Sequence, residues 1–171
     1  MDIEYIKENC DNKEIILKAV SENGKLLEYA SILLRDDEEV VKKALEQDGE
    51  ALEFVSDRLK GNKEILMQAI KKAPWTICYA KENLTKDKEI MKEACRDYGQ
   101  ALYYASEDIR ANKEIVKLAV ENKGIIIKYA SKELQNDKEL ALIAVKQNKQ
   151  AYHFISQELK QDEEIKEMVN N

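Results

Sequence analysis

The sequence predicts an all-α fold, an α-solenoid of stacked short helical hairpins with a 25-residue repeat. Three observations lead there. The motif Asn/Asp-x-Glu-apolar recurs without insertion at Asn12, Asp37, Asn62, Asp87, Asn112, Asp137 and Asp162. Glycine returns at one repeat position in Gly24, Gly49, Gly99 and Gly124. An aromatic residue returns at another, in Tyr29, Phe54, Tyr79, Tyr104, Tyr129 and Phe154. Self-similarity at a fixed period of this length is the mark of a repeat architecture, in which no unit buries its apolar face alone and neighbours stack to do so.

Taken in order, residues 1–11 form an N-terminal cap, with Tyr5 in the register of a late-helix aromatic. Full repeats start at 12, 37, 62, 87, 112 and 137, residues 162–171 form a C-terminal capping helix, and the whole of 1–171 is read as one solenoid domain. Each repeat opens on an Asn or Asp whose side chain caps orphan N–H groups of the first turn. The Glu two residues on complements the positive end of the helix dipole. Ile15, Ile16, Ala19 and Val20 then mark one helical face, and the equivalents of Ala19 stay small at Ala44, Ala69, Ala94, Ala119 and Ala144. Such a column of small side chains implies close helix-to-helix approach. The repeated glycine is expected as a left-handed C′ residue that stops this first helix of about ten residues; Pro74 and Lys149 are the exceptions. A second helix of about seven to ten residues follows, carrying Leu27, Tyr29, Ala30 and Leu34 in the first copy. Ser31, Ser56, Ser106, Ser131 and Ser156 come next, with Lys81 the departure, placed to cap a final short turn or to satisfy a backbone carbonyl where the second helix ends.

The string Asn112-Lys-Glu-Ile-Val-Lys-Leu-Ala-Val-Glu-Asn-Lys-Gly124, followed by Tyr129-Ala-Ser131-Lys-Glu-Leu134, resembles an uncharacterised tandem helical-repeat family, domain of unknown function four-one-one-six. Its consensus reads dKEivlaAVkqnG-aLeyASeeLrnD. The resemblance covers about residues 11–165 and matches caps, glycine and Tyr-Ala-Ser in register. It implies a helical array and carries over no active site. The third full copy departs most, through Pro74, Trp75 and Lys81.

Composition narrows the function classes. Charged residues make up 36% of the chain, there are five Gly and one Pro, and the net charge is −6 with Lys and Glu interleaved. Without a basic stripe, neither nucleic acid nor an anionic membrane is the expected partner. No apolar run approaches a membrane span, and Met1-Asp2-Ile3-Glu4 lacks a secretory signature, so a cytoplasmic location is expected. Cys10, Cys78 and Cys95 have spacings that fit neither a disulfide framework nor a zinc site. Cys95 takes a core position, where a thiol behaves as a small hydrophobe. His153 is the single histidine, so no metal cluster or His-activated nucleophile repeats. No catalytic residue, metal ligand or cofactor site is assigned, and the chain is not read as an enzyme.

Function in a repeat protein falls to positions that packing does not dictate. On the second helix these are Trp75 with Cys78, Gln100 with Tyr103, Ile125 with Lys128, and Gln150 with His153. The candidate protein-binding surface is therefore Trp75, Cys78, Tyr103, Ile125, Lys128 and His153, because exposed aromatic and long apolar groups are what a protein partner buries. The competing reading has Trp75 folding back into a gap left by Pro74. A second stripe on the first helix comprises Leu17, Met67, Leu118, Leu142 and Ile143. The expected function is a non-catalytic protein-binding module or scaffold for an unidentified protein. A stoichiometric inhibitor or immunity-type regulator of one protein is the alternative. A small-ligand binder or enzyme would need a convergent pocket around Trp75, Tyr98 and Tyr103. The sequence does not set the oligomeric state.

Overall fold

The computed structural model describes residues 1–170, and among them every regular element is helical. The expected C-terminal helix runs Glu163–Asn170; its last expected residue, Asn171, lies outside the described residues. The chain divides into two compact units, Met1–Leu84 and Thr85–Asn171. The division falls at the end of the copy that carries Pro74, Trp75 and Lys81.

In the first unit the short helix Ile3–Glu8 precedes longer helices at Lys13–Glu22, Glu38–Gln47 and Lys63–Ile70. Six-residue 3₁₀ helices stand after them at Gly24–Tyr29, Gly49–Phe54 and Pro74–Tyr79. The second unit has long helices at Lys88–Asp97, Lys113–Asn122, Lys138–Gln147 and Glu163–Asn170, with 3₁₀ helices at Gly99–Tyr104, Gly124–Tyr129 and Lys149–His153. Within each unit long helices pack on long helices and 3₁₀ helices on 3₁₀ helices, giving two layers. The fully buried residues that join them include Ile16, Leu27, Leu45 and Leu52 in one unit, and Ile90, Leu102, Val116 and Ile127 in the other.

Local hydrogen bonds set where the long helices begin. Asn12 Oδ1 accepts from the N–H groups of Glu14 and Ile15 at 3.1 and 3.2 Å, and Asp37, Asn62 and Asp162 repeat the arrangement. The recurring Glu serves a second purpose beyond the dipole. Lys13 Nζ reaches forward to Asp37 at 2.9 Å and Glu39 at 2.7 Å. In the second unit Lys113 reaches Asp137 and Glu139, and Lys138 reaches Asp162 and Glu164. Each pair spans adjacent repeats, so the same carboxylates that start one helix tie it to the one before.

The glycines depart from the expected left-handed C′ role. Among the described residues no glycine has a positive φ. The long helix ends instead on an extended residue, Asn23, at φ −151° and ψ 111°, whose N–H still donates to the Ala19 carbonyl. Its side chain accepts from Lys25 N–H at 3.0 Å and so starts the 3₁₀ helix; Asp48 and Asn148 do the same for Glu50 and Gln150. Glycine is needed for proximity. A Cβ on Gly49 would stand 2.5 Å from the Ala69 carbonyl oxygen, and Gly24, Gly99 and Gly124 meet the carbonyls of Ala44, Ala119 and Ala144 at still closer range. The missing glycine side chain makes room for a backbone carbonyl of the next long helix. The Gly99 and Gly124 N–H groups, first in their 3₁₀ helices, donate to Asn122 Oδ1 at 2.8 Å and Gln147 Oε1 at 2.7 Å in the following repeat.

The second helix is likewise shorter than expected. It is a 3₁₀ helix that stops at extended Ala30, φ −70° and ψ 150°. The next N–H, that of Ser31, donates to Cys10 O of the preceding segment at 2.9 Å, where a continuing helix would need it within the turn. Ser56 to Arg35, Ser131 to Arg110 and Ser156 to Gln135 continue this backbone ladder at 2.9–3.0 Å. Each serine hydroxyl then opens a short final turn, accepting from Leu34, Leu59, Leu134 or Leu159 N–H. Ser106 is the exception, its Oγ buried without a partner. At the N-terminus Tyr5 does not take the late-helix aromatic register. It is 48% exposed while Ile6 is fully buried, because one residue turns a helix by about 100°.

Two outcomes are expected. Gly49→Ala lowers unfolding stability in urea by about 1–3 kcal/mol through forced overpacking, whereas Gly61→Ala, whose Cβ would meet nothing nearer than Arg58 O at 3.3 Å, changes it by less than about 0.5 kcal/mol. Hydrogen bonds from Lys117 and Lys113 hold Glu139 down to about 2 from an ordinary 4.5. Its folded value is depressed, so its contribution to stability is complete above 4.5 and is lost as pH falls toward about 2. An NMR carboxylate titration of Lys113→Ala/Lys117→Ala should find the Glu139 midpoint moved back up toward 4.5.

Candidate protein-binding face

The candidate residues sit on the 3₁₀ helices, whose outer positions the interlayer packing leaves free. In the second unit, helices Gly99–Tyr104 and Gly124–Tyr129 lie side by side and bring Tyr103, Ile125 and Lys128 into one recess of about 380 Å³. Tyr98, Gln100, Tyr104, Lys123, Ile126 and Tyr129 complete its wall. Tyr103 is 54% exposed, and its ring meets Tyr104 and Tyr129 edge-on at 5.1 and 5.3 Å between centroids. Lys128 Nζ lies 4.8 Å from the Tyr129 centroid and 5.9 Å from that of Phe154, within cation–π range.

His153 is exposed and lines a different recess, of about 430 Å³, with Lys128, Lys132, Phe154, Gln157 and Lys160. Lys128 belongs to both recesses. The candidate set of the second unit is thus two adjoining depressions joined at one lysine.

Trp75 and Cys78 belong to the first unit. Trp75 does not fold back into the turn. It remains 47% exposed and its Nε1–H donates to Glu50 Oε1 at 3.0 Å. Pro74 takes the first position of a 3₁₀ helix, where its missing N–H is not needed and its fixed φ suits the turn, although the long helix before it ends early, at Ile70. Lys25 and Trp75 both donate to Glu50, holding its carboxyl below the ordinary range against the opposing effect of burial. Cys78 is exposed, and partial burial of its sulfur pushes the thiol up, so a reactive thiolate is not favoured there. Burial pushes Cys95 up to about 12. The first-helix stripe of Leu17, Met67, Leu118, Leu142 and Ile143 is half-buried throughout, less available than Tyr103 or Trp75.

Two features were not anticipated. Ile32 and Leu33, on the turn after Ser31, are 82% and 78% exposed. Other copies have Asp57-Arg58, Glu107-Asp108, Lys132-Glu133 and Gln157-Glu158 there, so the departure was visible in the repeat alignment. The second is a column of long donors, Arg35, Lys60, Arg110, Gln135 and Lys160. Each reaches back to open carbonyls of the preceding 3₁₀ segment: Arg35 to Ala30 at 2.8 Å, Lys60 to Glu53 at 2.7 Å, Arg110 to Tyr103 at 2.7 Å, Gln135 to Ala130 at 3.0 Å and Lys160 to His153 at 3.2 Å. These side chains cap the backbone beneath the candidate face and hold it in place.

Among the described residues no group of His, Cys, Asp and Glu is arranged to hold a metal ion, and no helix is long and apolar enough to cross a membrane. Fold and face together define an all-α tandem-repeat protein with a surface of variable side chains on its 3₁₀ layer. Comparison with known families places it more closely: the chain belongs to the family described as Domain of unknown function (DUF4116), which matches residues 12–60, 62–110 and 112–165. The first two matches each span two of the Asn/Asp-x-Glu units, and the third spans two and reaches into the motif at Asp162. No curated protein and no solved structure matches the chain.

With the native fold intact, a disulfide-exchange reagent at neutral pH should label Cys78 well before Cys95, which reacts only on unfolding. Mass spectrometry of the labelled peptides reads the order.

Proposed function

We propose that this chain is a non-catalytic protein-binding repeat module or scaffold, and that it docks its partner on the outer side of its 3₁₀ helices. The observation that carries the reading is Tyr103. A large aromatic side chain stands half exposed at the mouth of a recess walled by three further tyrosines, at a position that neither capping nor core packing requires. Tyrosine offers a large contact area at low conformational cost, which is why it is enriched where proteins bind proteins. Trp75 and the Ile32–Leu33 pair give the first unit exposed apolar groups of its own. Three free thiols are in keeping with a reducing compartment, and we place the protein in the cytoplasm.

Immobilised wild-type chain should capture a defined protein from cytoplasmic extract. Tyr103→Ala, with an unchanged circular dichroism spectrum, should lose most of that capture, at least about tenfold in affinity if Tyr103 is a binding hot spot. Capture of the same proteins at equal strength by both would remove the 3₁₀ face from the reading.

A further inference from the structure

We propose that the two recesses joined at Lys128 receive an acidic, extended segment of a partner protein, with apolar or aromatic side chains interspersed among its carboxylates. This rests on the protein-binding reading and names the chemistry of the partner.

The argument begins with how the lysines of the second unit are used. On the long-helix layer several are held in ion pairs across repeats: Lys113 with Asp137 and Glu139, Lys117 with Glu139, Lys138 with Asp162 and Glu164. On the 3₁₀ layer the lysines at the two recesses have no such pairs. Among the described residues Lys123, Lys128, Lys132 and Lys160 pair with no carboxylate. Lys128 lies against aromatic rings, Lys132 donates to Gln135 Oε1 at 3.0 Å, and Lys160 donates to a backbone carbonyl. No Asp or Glu lines either recess, although the chain carries 34 acidic residues against 28 basic ones. A cationic aromatic surface set in an acidic chain has one complementary class of protein partner, a segment rich in carboxylates.

Charge alone would hold such a segment weakly, since an exposed ion pair contributes little net affinity and is screened by salt. The recesses supply what charge lacks. One is walled by Tyr98, Tyr103, Tyr104 and Tyr129, the other by Phe154, and each can bury an apolar side chain beside Lys128. A single-stranded nucleic acid fits less well. Tyr103 meets its neighbours edge-on and closes a recess, where a stacking platform needs open ring faces, and a net charge of −6 opposes a polyanion.

The test titrates the full chain against a short fluorescein-labelled peptide alternating Glu with Phe and Leu, followed by anisotropy. Saturable binding is expected. Lys123→Glu/Lys128→Glu should weaken it at least about tenfold, while Lys113→Glu on the other layer leaves it within about twofold. Replacing every Glu of the peptide by Gln should cost a similar factor to the double charge reversal. Equal binding of the Gln peptide, no saturable binding of the Glu peptide, or tighter binding of a labelled oligothymidylate would each overturn the acidic-segment proposal. So would a Lys128-dependent self-association of the chain in sedimentation. A captured protein that is lost with Tyr103→Ala but unaffected by Lys123→Glu/Lys128→Glu would leave the protein-binding reading standing and sink the acidic segment alone. An absence of Tyr103-dependent capture would remove both.

Discussion

The contact between a glycine at the head of a 3₁₀ helix and an alanine carbonyl in the next long helix sets the spacing on which the other features of each unit depend. Because the oxygen of Ala69 stands only 2.5 Å from where a Cβ of Gly49 would be, no side chain fits between the two backbones. The same approach recurs between Gly24 and Ala44, Gly99 and Ala119, and Gly124 and Ala144. With that distance set, the orphan N–H groups of Gly99 and Gly124 come within reach of Asn122 and Gln147. The serine N–H of each following turn meets a carbonyl of the segment before it. Close packing and polar satisfaction are here one arrangement, since a larger residue at the glycine would separate the layers and strand the donors.

The two layers handle charge differently, most clearly in the second unit, where no carboxylate lines the recesses of the 3₁₀ layer. The long-helix layer ties itself together across repeats, with Asp37 and Asp137 serving as cap and as acceptor for the lysine of the preceding repeat, and Glu39 and Glu139 as dipole partner and second acceptor. The 3₁₀ layer caps its backbone with Arg35, Lys60, Arg110, Gln135 and Lys160 and leaves its outer positions to vary. A self-satisfied surface has little to gain from a partner. A surface of half-exposed tyrosines and lysines without carboxylates has apolar area to bury and charge to complement.

Departures from the repeat are also where the chain acquires individual character. Ile32 and Leu33 replace the polar pair found in the later copies and expose two aliphatic side chains. Pro74 and Trp75 replace the glycine and its neighbour, with the proline accepted because a helix start requires no N–H there. The division between the two units falls in that same copy.

What the sequence by itself determined is what neighbouring residues decide among themselves. Asn12 and its equivalents read as caps because an acceptor two or three residues ahead of orphan N–H groups is a local fact. Ile16, Ala19 and Val20 read as core because helical periodicity places them on one face. The variable positions read as surface by comparison of copies, and Trp75, Tyr103, Lys128 and His153 are exposed. Tertiary structure decided the rest. The glycine's purpose lies twenty residues away, at the next helix's carbonyl, so a local rule assigned it the wrong conformation. The second helix ends early because Ser31 N–H finds Cys10 O, a partner that no window of consecutive residues contains. For the same reason only the packed structure could separate Tyr103, Ile125 and Lys128, which share one recess, from His153, which shares another with Lys128. Periodicity assigns a side chain to a face, but which side chains close around one volume depends on the distance between backbones, and here that distance is set where glycine meets carbonyl.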